Sequence, residues 1–153
     1  MARAPELLVT QSVLDRLSTT EDWPTTRAQS IRFLRDSIKR NLEWLLNTRR
    51  PPIEGIEGYP LARNTVLYYG LLDLGSLSLA STDDQKRLQQ RIAEMVEHSE
   101  PRLQEVQVRL EDGDLQKKKL RFHIGARMQM KPLPEEIAFD TVLDLATGEY
   151  QVD

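Results

Sequence analysis

His98 and His123 are the only imidazoles in this 153-residue chain, and it contains no cysteine. Disulfides, thiolate zinc sites, iron–sulfur clusters and a cysteine nucleophile are thereby excluded. Neither histidine has a second ligand at the short spacing a metal needs, so no metal site is expected. His98 falls near the end of an expected helix, where a cation suits the negative dipole end; His123 falls on the polar side of an expected strand. A serine nucleophile lacks its Gly-x-Ser-x-Gly elbow, and Gly55-x-x-Gly58 lacks the lysine and helix of a phosphate loop. Glu94, Glu97 and Glu100 lie three apart, and two carboxylates across a cleft are the machinery of glycoside hydrolysis. Sugar sites want aromatic platforms, however, and aromatic residues are 6% of the chain. Trp44 falls in a helix and Trp23 in a polar arm, so a solvated helical face explains the glutamates better. No catalytic residue and no cofactor is expected.

Two charged groups remain. Lys117-Lys118-Lys119 is the one dense basic run, and it follows the acidic Glu111, Asp112 and Asp114. It reads as self-compensating charge on a solvated hairpin, with contact to an acidic partner as the sharper alternative. Glu100-Pro101-Arg102 stands where helical spacing gives way to alternation. Proline disfavours helix at the residue before it, so the tripeptide forms a rigid corner. An acid and an arginine held there suit an interface anchor, and the corner is expected to be exposed in the free subunit. Two loose surface charges fit the spacing equally well.

The elements that must position these residues are legible as period. Thr26 and Gln29 form a capping-box pattern ahead of Ile31, Leu34, Ile38, Leu42 and Leu45, one apolar stripe at helical spacing. Arg49 and Arg50 sit at the negative helix end, and Pro51-Pro52 stops the helix. Phe33, Trp44 and Leu46 lie off the stripe, which implies burial on two sides or a second apolar face for a partner. Residues 51–81 read as a long connection, with Thr65–Tyr69 as a short strand or turn. A second helix is expected from Thr82 to His98, capped by Thr82 and Gln85, with Leu88, Ile92, Met95 and Val96 on its apolar face. Alternation then takes over. Val106, Val108 and Leu110 form one strand face, and Asp112-Gly113 marks a hairpin turn. Leu120, Phe122, Ile124, Ala126, Met128 and Met130 form the next face; Ile137, Phe139, Thr141 and Leu143 a third. A turn at Thr147-Gly148 leads to Tyr150–Val152.

Helices first and antiparallel strands after give the class α+β: two main helices on a small antiparallel sheet of three or more strands, with an N-terminal arm. Residues 1–25 are the arm, whose Ser12–Leu17 stretch is an amphipathic docking motif, and 26–153 a single domain. The length suits one core. A charged fraction of 29%, net charge −3 and pI of about 5.5 argue against nucleic-acid binding, which needs a basic face. No apolar run reaches a membrane span, and the first residues are too polar for a signal peptide, so the expected address is the cytoplasm.

Leu34 to Arg50 closely resembles the signature helix of the TssE family. These are type VI secretion baseplate subunits related to the small wedge protein of contractile-phage baseplates. Ser12–Leu17 resembles that family's N-terminal motif. Tyr69-Gly70-Leu71-Leu72-Asp73, Glu100-Pro101-Arg102-Leu103, the Leu120–Ala126 alternation and Phe139-Asp140-Thr141 follow in the family's order. Leu72 and Gly125 depart from it; proline and a bulkier residue are usual there. The resemblance implies a structural subunit that joins the TssF–TssG wedge, near the inner membrane, and nucleates the TssB–TssC sheath through its sheet. It implies wedge docking through Glu100, Pro101 and Arg102. Leu14 and Leu17 of the amphipathic arm and Trp44 of the second helical face are the other expected partner contacts. A regulatory binding module on the same fold is the alternative; a peptidoglycan hydrolase, the family's older label, finds no support in the residues.

Overall fold

The computed structural model describes residues 12–18, 24–72, 81–111, 119–131 and 133–153. Trp23, the Asp112-Gly113 turn, Lys117 and Lys118 lie outside the described residues. The order is α1 (Val13–Ser18), α2 (Arg27–Asn47), three short 3₁₀ turns between Ile56 and Tyr68, α3 (Thr82–Ser99), then strands β1 (Leu103–Glu111), β2 (Lys119–Met128), β3 (Glu135–Asp144) and β4 (Tyr150–Val152). The strands form one antiparallel sheet in sequence order. The class is the expected α+β.

Helix α2 starts as its capping box requires. Thr26 Oγ1 accepts from the Gln29 amide, and Gln29 Oε1 accepts from the Thr26 amide, so two otherwise orphaned donors are satisfied. Leu34, Ile38, Leu42 and Leu45 are buried as the stripe demands, and Leu46, off the stripe, is fully buried as well. Phe33 and Trp44 stay exposed. The helix ends at Asn47, before the prolines, because Thr48 turns extended and Arg49 donates to the Leu46 carbonyl at 2.6 Å. Helix α3 corrects the expected cap by one residue: Ser81, not Thr82, accepts from the Asp84 amide. Thr65–Tyr69 is a 3₁₀ turn rather than a strand, with Thr65 Oγ1 accepting from Leu67 N.

One sheet face carries the core. Leu120, Phe122, Ile124, Ala126 and Met128 of β2 and Ile137, Phe139, Thr141 and Leu143 of β3 are all buried, matching the alternation. Helices α2 and α3 cover that face through Leu42, Leu45, Leu88, Ile92 and Val96. Strand β1 breaks the simple period. Gln104 pairs with Arg127 and Gln107 with Gly125, so Glu105 and Val106 together face one residue of β2. This is a bulge, with Glu105 at φ 54°, and it returns both Leu103 and Val108 to the core face despite their unlike parity.

The three-residue β4 is extended by a side chain. Asn47 Nδ2 donates to the Tyr150 carbonyl and Asn47 Oδ1 accepts from the Tyr150 amide, each at 2.8 Å. A carboxamide on α2 thus imitates the neighbouring strand that β4 lacks. Gly70 locks the return of the connection. Its φ is 99°, and a Cβ there would lie 2.5 Å from the Thr48 carbonyl oxygen. The close approach allows Leu71 N to reach Thr48 O and Arg50 N to reach Leu71 O, both at 2.9 Å.

Asn47→Ala should cost about 2 kcal/mol in urea unfolding, two hydrogen bonds to a buried strand end at about 1 kcal/mol each. Tyr150 supplies a pH test. Burial pushes its phenol up to about 12, against the opposing charge of Arg49, and among the described residues its hydroxyl has no hydrogen-bond partner. The folded value lies above the unfolded one, so this contribution is complete below about pH 10 and is lost as pH rises through the folded value. Stability should fall above about pH 10. The fall should be shallower, though not absent, in Tyr150→Phe, because burial and the charge of Glu100 also raise Tyr69.

Candidate functional site

The corner between α3 and β1 is built by the backbone first. Glu100 caps α3, its amide donating to Val96 O at 2.8 Å, and its carbonyl accepts from Leu103 N at 2.9 Å as the chain turns into β1. That tight turn places Glu100 and Arg102 on the same side. Arg102 grips Glu100 with a two-pronged contact: Nε to Oε1 at 2.6 Å and Nη2 to Oε2 at 2.5 Å. Such a fork is the strongest geometry available to an arginine and a carboxylate. Asn41 of α2 donates a third bond to Glu100 Oε2, at 3.1 Å.

The third prong of Arg102 reaches α2. Its Nη1 donates to Ser37 Oγ at 3.2 Å, and Ser37 passes its own proton to Asp15 Oδ2 at 2.7 Å. Asp15 belongs to α1. It also accepts from Ser12 Oγ at 2.7 Å and from the Arg40 guanidinium. A continuous polar chain therefore runs from the α3–β1 corner across α2 to α1. Burial pushes the Asp15 carboxyl up, but the bonds from Ser12 and Ser37 and the Arg40 charge outweigh it and hold it below its ordinary value.

This arrangement overturns the expected exposure of the corner. Glu100 is 4% exposed, and the Arg102 side chain 23%. Only Pro101 stands out in solvent. The pair holds the fold together before it can meet anything else.

The expected apolar contacts are open. Leu14 is 64% exposed, Leu17 79% and Trp44 52%, with Val13 also exposed. Helix α1 is thus attached through its polar side and turns its apolar residues outward. Arg40 links these to Trp44: while bonded to Asp15, its guanidinium carbon lies 5.6 Å from the Trp44 ring centre. Sequence reading passed over Asp15, Ser37 and Arg40. Only their proximity to Arg102 in space marks them. It also passed over Tyr59, Leu61 and Val66, large apolar residues that the 51–72 connection shows to solvent.

The three glutamates do not form a carboxylate pair. Glu97 accepts from the Val106 amide, Glu100 is held by Arg102, and Glu94 lines a hollow with Arg50 and Arg91. His123 pairs with Asp140 across β2 and β3 at 2.8 Å on the open sheet face. There Gly125 lies beside Gln107 and Ala138 in the floor of a shallow depression of about 400 Å³. Among the described residues no cluster of metal-binding side chains forms, and no helix is long and apolar enough to cross a membrane.

A family model described as baseplate wedge protein gp25 matches residues 32–133, which take in most of α2, all of α3, the corner and the first two strands. The chain belongs to that family. Its role is that of a structural baseplate component. No curated protein matches the chain. The matched span includes Ser37, Arg40, Asn41, Glu100 and Arg102, whereas α1, with Asp15, precedes it.

Two outcomes follow from the polar chain. Arg102→Glu sets two carboxylates face to face in a covered corner and should lower stability by about 2–4 kcal/mol, seen as a lower urea midpoint. Asp15→Asn should release α1 at neutral pH, giving sharp, random-coil NMR signals for Leu14 and Leu17. Because the folded Asp15 value lies below the unfolded one, its contribution is complete above about pH 4 and is lost as pH falls further. Acidification of the parent should therefore move its α1 signals toward those of the variant.

Proposed function

We propose that this protein is a TssE-type subunit of a type VI secretion baseplate. It joins the TssF–TssG wedge in the cytoplasm near the inner membrane and offers its sheet to the first TssB–TssC sheath subunits. In this reading residues 1–25 are a docking arm and 26–153 the wedge domain. The observation that carries it is the outward-facing apolar side of α1, near Trp44, on a helix tied to α2 by the bonds of Asp15 to Ser37 and Arg40. Six residues are too few to hold a helix in water, so the bonds of Asp15 to α2 fix where Val13, Leu14 and Leu17 are presented. Pro101, between the two residues of the ion pair, is exposed as well. Glu100 and Arg102 act in docking by holding α1 in place.

The sheet supplies the second contact. Strand β4 pairs only with Thr141–Leu143, so the outer edge of β3 from Glu135 to Phe139 has no strand partner among the described residues. Asp140 O faces outward, since it accepts from Asp153 N. Alternation then turns the amides of Glu136 and Ala138 outward too. Arg35 donates to the Ala138 carbonyl at 3.4 Å, and otherwise the edge is free to take an added strand. The opposite edge is less available, because the β1 bulge kinks it and Glu97 occupies Val106 N.

Co-expression with TssF and TssG tests the reading. The parent should co-purify with them. Leu14→Asp with Leu17→Asp should remove that binding while leaving the urea midpoint within about 0.5 kcal/mol, as expected for exposed positions. Retained binding by the double variant would move the contact elsewhere. Ala138→Pro deletes an outward amide that β2 does not use, and should block sheath assembly while sparing wedge binding. The purified parent should show no muramidase activity; clear wall cleavage would sink the structural assignment.

A further inference from the structure

A hollow of about 390 Å³ lies between the C-terminal half of α3 and the returning connection, reaching Ser99 beside the Glu100 corner. Its lower wall is apolar, formed by Leu71, Met95 and the Tyr68 ring. Its charge comes from Arg50 and Arg91, with Glu94 and His98 at the α3 side. Arg91, Met95 and His98 recur at helical spacing, which sets them on one face of α3.

Arg50 is unusually placed. Its amide is tied to Leu71 O, and its guanidinium carbon sits 4.4 Å from the Tyr68 ring centre. The stacked guanidinium is held flat and cannot swing to the surface as a lysine would. Among the described residues, neither Arg50 nor Arg91 has a side-chain hydrogen bond or an ion pair, and Arg50 Nε is buried without any partner. The wall that fixes Arg50 depends on Gly70, the residue whose Cβ would strike Thr48 O. The turn at Gly70 thus helps position a cation that, among the described residues, no carboxylate meets. The pocket carries two positive charges, Arg50 stacked on Tyr68 and Arg91 exposed on α3, against one acid, Glu94, in a chain whose net charge is −3.

We propose that this pocket receives a carboxylate from a protein partner, carried beside an apolar or aromatic side chain. The two guanidiniums would take the carboxylate by charge-assisted bonds, and the Tyr68–Leu71–Met95 wall its apolar neighbour. The volume is that of a pocket for one or two side chains, which fits a short acidic segment or a chain end. Charge complementarity selects this occupant: an entirely apolar group would leave both arginines unpaired, and a cation would be repelled.

The test is an amide-resolved NMR titration of the full chain with N-acetyl-Phe-Glu-amide, N-acetyl-Phe-Gln-amide, N-acetyl-Phe with a free carboxylate, and inorganic phosphate. Saturable shifts at Arg50, Leu71 and Met95 with either carboxylate probe, absent with the Gln probe, are expected. The stronger of the two identifies a side-chain or a chain-end donor. Affinity should fall about tenfold in Arg91→Gln, the loss of one charge-assisted contact; that residue is exposed on α3, so the fold stands. Arg50→Lys, which keeps the charge but loses the stacked fork, should weaken binding as well. No saturable shift, equal binding of the Gln probe, equal affinity in Arg91→Gln, or phosphate binding as tightly as the carboxylates would each overturn the proposal. Any of these would leave the wedge assignment untouched, since none involves α1, Glu100 or Arg102.

Discussion

The fork between Arg102 and Glu100 is the constraint on which the packing of α1, α2 and the entry to β1 depends. A carboxylate buried at a helix end is tolerable only if its charge is met, and here Arg102 and Asn41 meet it together. Burial of Glu100 pins the end of α3 against α2, and the turn into β1 follows from the same backbone bonds. Because Arg102 has a further N–H to spend, it also orients Ser37, and Ser37 orients Asp15. A structural ion pair thereby sets the position of a six-residue helix on the far side of α2. Charge that looks like a docking site in sequence is, in the fold, a frame that holds α1.

This division suits a protein whose work is assembly. Exposed ion pairs contribute little and are screened by salt, so an interface anchored on two loose charges would be weak. Drawing them inward makes them structural, while Leu14, Leu17 and Trp44 stay exposed and would gain by leaving water. The same economy appears at β4, where Asn47 substitutes for a missing strand and closes only the end of the sheet edge. The rest of the β3 edge is left without a strand, as an added strand would need.

Much of the fold was legible in the residues. The stripe of α2 and its Thr26–Gln29 box, the alternation of β2 and β3, and the turn at Thr147-Gly148 all depend on neighbours in sequence, and each is found where the pattern puts it. The misses share one cause. The cap of α3 fell on Ser81 because a run of Ser, Thr and Asp offers several capping choices and packing selects among them. The bulge at Glu105 was invisible because alternation assumes a regular pleat. Leu46 left two readings open, burial on two sides or a second outer face, and its full burial selects the first.

The sequence by itself determined the class, the periods, the absence of cysteine chemistry and the identity of the corner residues, since these rest on composition and local geometry. Only the tertiary structure decided what the corner does. Glu100 and Arg102 are two residues apart, but Asn41, Ser37 and Asp15 are distant in sequence, and a hydrogen-bond chain among them forms only when α1, α2 and the β1 entry pack together. The stacked arginine at position 50 is of the same kind. Arg50 was readable as a cation at a helix end; that it faces Tyr68 and, among the described residues, meets no acid follows from a turn at Gly70 and from the face of α3 that happens to lie opposite.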